Sequence, residues 1–235
     1  MAEKLENILK VKIFQETACY KKPFSLKVAE TYPLPPYSTV KGLFHKLLAT
    51  KDFFYRFNIS IQGTYEAVMT NYQKMLFFKD NGDITSMPLS VQLLYNVELL
   101  IHVYYPDKKI LERLAEKLIS PDAYLSVGRH EDLALATDIK FVRAEKIDFS
   151  EIEEPYFVKC NLYMPEEYLK SVQENNFGLN GIKFRLNYSY KKLNGLRVWE
   201  EKAEVKYIEK GSVIEDGIFL VDEEGDLVAF YPVVR

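Results

Sequence analysis

Two spacings of apolar residues alternate along the chain. Ile8 to Cys19 alternates, with Leu9, Val11 and Ile13 on one side and Lys10 and Lys12 on the other, which predicts a first strand. Prolines 33, 35 and 36 then force an extended lead-in, because a residue before proline is pushed out of the helical region, and Ser38 offers a hydroxyl to cap free amides. From Val40 the apolar positions fall at 40, 43, 44, 47 and 48, the stripe of a helix with one buried face; Lys41, His45 and Lys46 occupy the opposite side. Phe57 to Phe78 returns to alternation, and beyond Thr70 its phase slips, predicting a bulge or bend. Asn81-Gly82 is a hairpin turn signal, and Leu89 to Tyr105 keeps one parity throughout. Two arms of about twenty residues reach roughly 65 Å when extended. A core of about 150 residues has a radius of gyration near 15 Å, so the hairpin must curl or project as an arm. Pro106-Asp107 opens a second helix whose buried stripe is Leu111, Leu114, Ala115, Leu118 and Ile119, and Ser120-Pro121 ends it. The loop Ser126 to Asp132 leads to a strand over Leu133 to Ile147.

The order strand, helix, strand, strand, helix, strand predicts an α+β fold of ferredoxin-like, RRM-like βαββαβ type: an antiparallel sheet with both helices on one face. Residues 1–150 form this domain, with a protruding hairpin at about 70–90. The acidic stretch Ile147 to Pro155 breaks the pattern and is a candidate boundary. Residues 151–235 read as a small β-rich appendage. One hairpin there pairs Ile182 to Tyr190 with Trp199 to Tyr207 around Asn194-Gly195, a second turns at Gly225-Asp226, and a short helix is expected over Pro165 to Gln173.

Composition narrows the class. The chain has 235 residues, 48% of them hydrophobic, enough for a real core. A net charge of -3 argues against non-specific attraction to nucleic acid over the whole surface. The charge is uneven: residues 1–150 carry +2 and the remainder -5, so an anionic ligand is expected to meet the first part. Cys19 and Cys160 form no C-x-x-C pair and read as ordinary thiols in a reducing compartment. The N-terminus is unlike a signal peptide, and the most apolar run is interrupted by Asn96, Glu98 and His102; a cytoplasmic protein without a membrane span is expected.

Three features carry candidate chemistry. The helix beginning at Ser38, Thr39 and Lys41 has uncommitted first-turn amides that suit a phosphate, although most such helices are only core elements. The Gly128-Arg129-His130 loop offers Arg129 and His130, with ion pairing of Arg129 to Glu131 or Asp132 as the plainer role. The hairpin places Lys74 and Lys79 among Tyr72, Phe77 and Phe78, residues that stack on bases or, more commonly, pack against protein. Lys21 and Lys22 add positive charge after the first strand, while His102 within a strand reads as structural. No paired carboxylates, glycine-rich phosphate loop or metal-ligand cluster supports a ferredoxin-like metabolic enzyme, and no cofactor or metal is expected.

Pro36-Tyr37-Ser38-Thr39-Val40-Lys41-Gly42-Leu43 resembles the Pro-x-Ser-Thr-Val-x-Gly-hydrophobic signature of the CRISPR-associated Cas-five family of the RAMP superfamily, and Gly128 to Asp132 resembles its Gly-Arg-x-Glu-Asp motif. The resemblance spans about the first 150 residues. It implies a non-catalytic, RNA-binding Cascade subunit of a type I antiviral system, I-B in character, that holds the 5′ handle of the CRISPR RNA (crRNA). Implied partners are the backbone subunits, the large subunit and, in the assembled complex, target DNA. The hairpin would be the family's thumb. Handle contacts are then expected from Ser38, Thr39, Lys41, Arg129, His130, Lys21, Lys22, Tyr72 and Lys74. One branch of the family instead cleaves precursor RNA without metal, using tyrosine, lysine and histidine. Tyr37, Lys41, His45 and His130 supply those residue types here, without an adjacent Lys-His pair.

Overall fold

The computed structural model describes residues 4–23, 28–50, 54–170 and 179–234. Strand β1 (Lys4–Ala18) is central, antiparallel to β5 (Ile84–Tyr104) on one side and to β7 (Leu133–Asp148) on the other. It begins four residues before the alternation that identified it, because Asn7 takes a positive φ of 60° and the register shifts between Leu5 and Ile8. Its odd-numbered residues Leu9, Val11 and Ile13 are buried under helices α1 (Tyr37–Leu47) and α2 (Lys108–Ile119), which touch each other and share one core with the sheet.

The predicted single run over 57–78 is two strands. β3 (Asn58–Thr64) and β4 (Ala67–Phe78) both pair with β5, and the break falls at Tyr65-Glu66 rather than at Thr70. Opposite the break, Asn96 takes a φ of 49° and its amide donates to Glu66 Oε2 at 2.6 Å, so both chains bend together. β5 is therefore a 21-residue spine, whose first half carries β4 on one edge and the parallel two-residue β2 (Val28–Ala29) on the other. β4 is exposed along nearly its whole length, and at its turn Gly82, with φ +86°, supplies the left-handed residue. In α2, Asp107 caps Lys109 N as its position suggests, but the buried stripe ends at Leu118 and Ile119 is 69% exposed.

Short strand β6 (Leu125–Ser126) pairs with β7 before the Gly128 loop. After β7 come β8 (Tyr156–Phe157), β9 (Asn161–Pro165) and α3 (Glu166–Leu169), the last inside the helix expected over 165–173, whose remainder from 171 lies outside the described residues. β10 (Ile182–Leu193) and β11 (Leu196–Ile208) form the expected hairpin around Asn194 and Gly195, both at positive φ. β12 (Val213–Ile214) pairs with β8, and β13 (Ile218–Asp222) with β14 (Leu227–Val228). The main sheet runs β10-β11-β9-β3-β5-β1-β7-β13-β14, so residues beyond 150 extend both of its edges. Leu186, Tyr188, Ala203 and Val205 enter the same core as α1 and α2.

On the face away from the helices, Lys10 is fully buried and its ammonium donates to Asp222 Oδ2 (2.6 Å), Glu224 Oε2 (2.7 Å) and Asp226 Oδ2 (2.6 Å). Those three bonds use all its protons. Asp222 also accepts from His102 Nε2 at 3.1 Å and, through Oδ1, from the backbone N–H of Glu224 and Asp226. Burial pulls the Lys10 ammonium towards neutrality, but the carboxylates outweigh it and raise its pKa above the ordinary lysine value. Three carboxylates gathered at one ammonium tie the β13–β14 turn to β1. Lys10→Met leaves them facing one another without the buried ammonium they share, and urea titration should show a loss of about 3–5 kcal/mol of unfolding free energy. A variant within about 0.5 kcal/mol of the parent contradicts that role.

Candidate nucleic-acid interface

Helix α1 starts where the prolines end. Pro36 is its N-cap, with φ -59° and ψ 151°, and its carbonyl accepts from Thr39 N at 2.9 Å. Ser38 thus lies inside the first turn instead of capping it, and no side chain caps that turn. Leu34 packs into the core and its carbonyl accepts from the Tyr163 hydroxyl at 2.7 Å, which fixes the lead-in.

The face expected to be solvated is covered. Tyr37, Lys41 and His45 follow one another at four-residue spacing, and all three are buried. β10 lies across them. The Lys41 ammonium sits 4.2 Å from the centre of the Tyr188 ring, and the Tyr188 hydroxyl donates to Phe57 O at 2.6 Å. Burial lowers the Lys41 pKa to about 8. His45 Nδ1 lies 2.7 Å from Lys41 O, an acceptor, and its Nε2 accepts from Tyr55 N at 2.9 Å. The ring is therefore the neutral Nδ1–H tautomer, and burial holds its pKa down at about 4. Burial pushes the Tyr37 hydroxyl well above its ordinary value, and it has no hydrogen-bond partner among the described residues. Three of the four residues named for acid–base cleavage are thus buried here.

The Gly128 loop is built on one carboxylate. Asp132, 1% exposed, accepts from Cys19 N and Arg129 N at 2.9 Å each and from the Arg129 guanidinium at 2.7 Å. Gln15 holds the same loop by donating to Val127 O and Asp132 O. Gly128 has φ +109°, and a Cβ there would meet Asp132 Oδ2 at 2.9 Å and Cys19 O at 3.0 Å, so only glycine fits. Arg129 takes the plainer of its two expected roles. It pairs with Asp132 and Glu131 and reaches Gln73 Oε1 of β4 at 3.1 Å, joining the loop to the hairpin. His130 is exposed at the loop tip.

A cleft of about 660 Å³ opens between these parts. Lys21, Ser38, Thr39 and Gly128, all singled out by sequence or motif, line it together. Lys41 and Arg129 do not. Lys22 pairs with Glu30 at 3.4 Å, while Tyr72 and Lys74 lie exposed on β4 away from the cleft lining. His45, named as a cleavage candidate, also lines it, as do Tyr32 and Lys46, and a further wall comes from residues that sequence reasoning did not single out as site residues: Asn187, Tyr190, Arg197 and Trp199 of the β10–β11 hairpin. Their signal was present as Tyr-Lys-Lys-Leu-Asn-Gly-Leu-Arg-Val-Trp, ten residues with three cations and no acid. Among the described residues lining the cleft, none bears a carboxylate. Among the described residues, Asp222, Glu224 and Asp226 have the spacing of cation ligands, but the Lys10 ammonium already occupies their centre.

The buried histidine and lysine both make stability depend on pH. Between about pH 6.5 and 4 the unfolded chain binds a proton that folded His45 refuses, so stability falls as pH drops through that window, by about 3 kcal/mol in all. His45→Leu should remove that part of the pH dependence; an unchanged profile contradicts the assignment. At pH 7 Lys41 is charged in both states and its burial opposes folding, so Lys41→Met should stabilise the chain by about 1–3 kcal/mol. A destabilised variant in thermal melts contradicts this.

A family profile described as CRISPR-associated protein (Cas_Cas5) matches residues 8–198, a span that contains both the Pro36–Leu43 and the Gly128–Asp132 motifs. No curated protein matches the chain in sequence. Among solved structures, a chain of a "CRISPR RNA-guided surveillance complex" superposes with a TM-score of 0.55 at 9% identity, covering 89% of this chain and 91% of that one. A "CRISPR protein from Archaeoglobus fulgidus" covers 94% of this chain and 98% of its own at 13% identity, with a TM-score of 0.48. The first of these is a likeness of fold. No helix among the described residues is long and apolar enough to cross a membrane. With the profile covering most of its length, the chain belongs to the CRISPR-associated Cas5 family.

Proposed function

We propose that this chain is a non-catalytic subunit of a type I CRISPR effector complex, I-B-like, that holds the 5′ handle of the crRNA and meets the backbone and large subunits, with target DNA joining in the assembled complex. One observation carries the reading: the uncapped first turn of α1, the Gly128 loop and Lys21 line one cleft that has no carboxylate among its described lining residues. First-turn amides and positive charge without competing acids suit a chain of phosphates. The strand order β3-β5-β1-β7 with α1 and α2 on one face supports a ferredoxin-like core. The long β4–β5 hairpin, tied to the loop through Gln73 and Arg129, supports a thumb, with Tyr72 and Lys74 on its exposed strand. His130 at the loop tip is a peripheral handle contact. The committed nitrogens of His45 favour binding over cleavage.

Co-purification of the tagged chain with its neighbouring subunits, followed by sequencing of the extracted RNA, tests this. Repeat-derived RNA with a uniform 5′ end is expected. Ser38→Glu places a negative charge at a helix start, where it does not harm folding, yet faces the cleft; it should reduce recovered RNA about tenfold or more. Absence of RNA from the parent complex, or full recovery with the variant, overturns the reading. Specific cleavage of repeat RNA by the purified chain in EDTA would favour the nuclease branch instead.

A further inference from the structure

The tip of the β10–β11 hairpin has no part in the motifs that identified the family, and it forms a wall of the cleft. Tyr190 and Trp199 pair directly across the hairpin with ring centres 5.5 Å apart, edge to face, and the Arg197 guanidinium lies 4.9 Å from the Tyr190 ring centre. Strict alternation would turn Asn187 and Tyr190 to opposite faces. The register is irregular between them, and both line the cleft. Trp199 remains 38% exposed although it lies beside a wall of apolar and aromatic groups. Lys21, Lys46 and Tyr32 line the same cleft. Flat aromatic faces, an amide side chain and three cations, with no carboxylate among the described lining residues, are the chemistry of an unstacked nucleobase with its flanking phosphates. An apolar protein segment would not call for that charge.

We propose that the cleft between α1 and the β10–β11 tip is a base pocket, in which one extruded nucleobase of single-stranded RNA stacks on Trp199 and Tyr190 while Arg197, Lys21 and Lys46 meet the adjoining phosphates. The proposal rests on the RNA-binding reading and adds to it Tyr190, Arg197, Trp199 and Lys46, which that reading does not use. Asn187 is placed to hydrogen-bond a base edge.

Trp199 is the sole tryptophan of the chain, so its fluorescence reports this pocket directly. The full-length protein is titrated with oligoadenylate and oligouridylate of about ten nucleotides, since stacking tolerates every base. Fluorescence anisotropy of labelled RNA measures binding, and tryptophan emission is followed in parallel. Quenching that tracks binding is expected, as is about a tenfold loss of affinity for Trp199→Ala with near-parent affinity for Trp199→Phe. Arg197→Gln should lower the slope of log affinity against log salt by about 0.7. Circular dichroism of each variant checks that the hairpin folds. RNA that binds while Trp199 emission and the Trp199→Ala affinity stay unchanged overturns the base pocket, leaves the RNA-binding reading intact, and gives the cleft to a protein neighbour. Failure of any RNA to bind the chain, alone or in its complex, overturns both.

Discussion

A buried carboxylate costs several kcal/mol unless donors surround it, and that requirement organises the structure around β1. At the end of the strand, Asp132 receives the Cys19 and Arg129 amides and the Arg129 guanidinium, so the Gly128 loop can lie only against β1. On its other face Asp222 receives Lys10, His102 and two backbone amides, so the β13–β14 turn can lie only there. Each carboxylate converts a flexible turn into a fixed one. The first turn forms a wall of the cleft; the second closes the sheet behind it.

The same pairing partitions the charge. Four acids of the C-terminal part, Asp222, Glu223, Glu224 and Asp226, gather at one turn, where Lys10, Lys140 and Arg143 pair with them. The ammoniums of these lysines hold the Glu224 carboxyl down at about 2. Lys10 alternates with the inward-facing Leu9 and Val11, so this cage lies on the sheet face away from α1. The cleft, on the α1 side, is lined by Lys21, Lys46 and Arg197 with no carboxylate among the described lining residues. A mildly acidic protein can thus carry a locally positive groove.

Local pattern was legible in the sequence and long-range packing was not. The α1 stripe at Val40, Leu43, Phe44 and Leu48, the Asn194-Gly195 turn and the juxtaposition of Ser38 with Gly128 could all be read from spacing and motif. Lys41 and His45 were misplaced because a helix pattern shows which face is apolar, not what a distant hairpin will cover; Tyr188 covers the polar side. The break at Tyr65-Glu66 was displaced for a similar reason, since it answers to Asn96 on the partner strand. Tyr190, Arg197 and Trp199 were visible as a basic aromatic run, but nothing local to it says that the hairpin folds back beside α1.

The central claim is that guide RNA occupies the cleft bounded by the start of α1, the Gly128 loop and the β10–β11 tip. Ultraviolet cross-linking of the assembled ribonucleoprotein, read by mass spectrometry of nucleotide-modified peptides, tests it most directly. Adducts on Tyr32, Tyr190 and Trp199 are the predicted result. Adducts absent from those residues and found instead on the face bearing Lys10 and Asp222 would contradict the account.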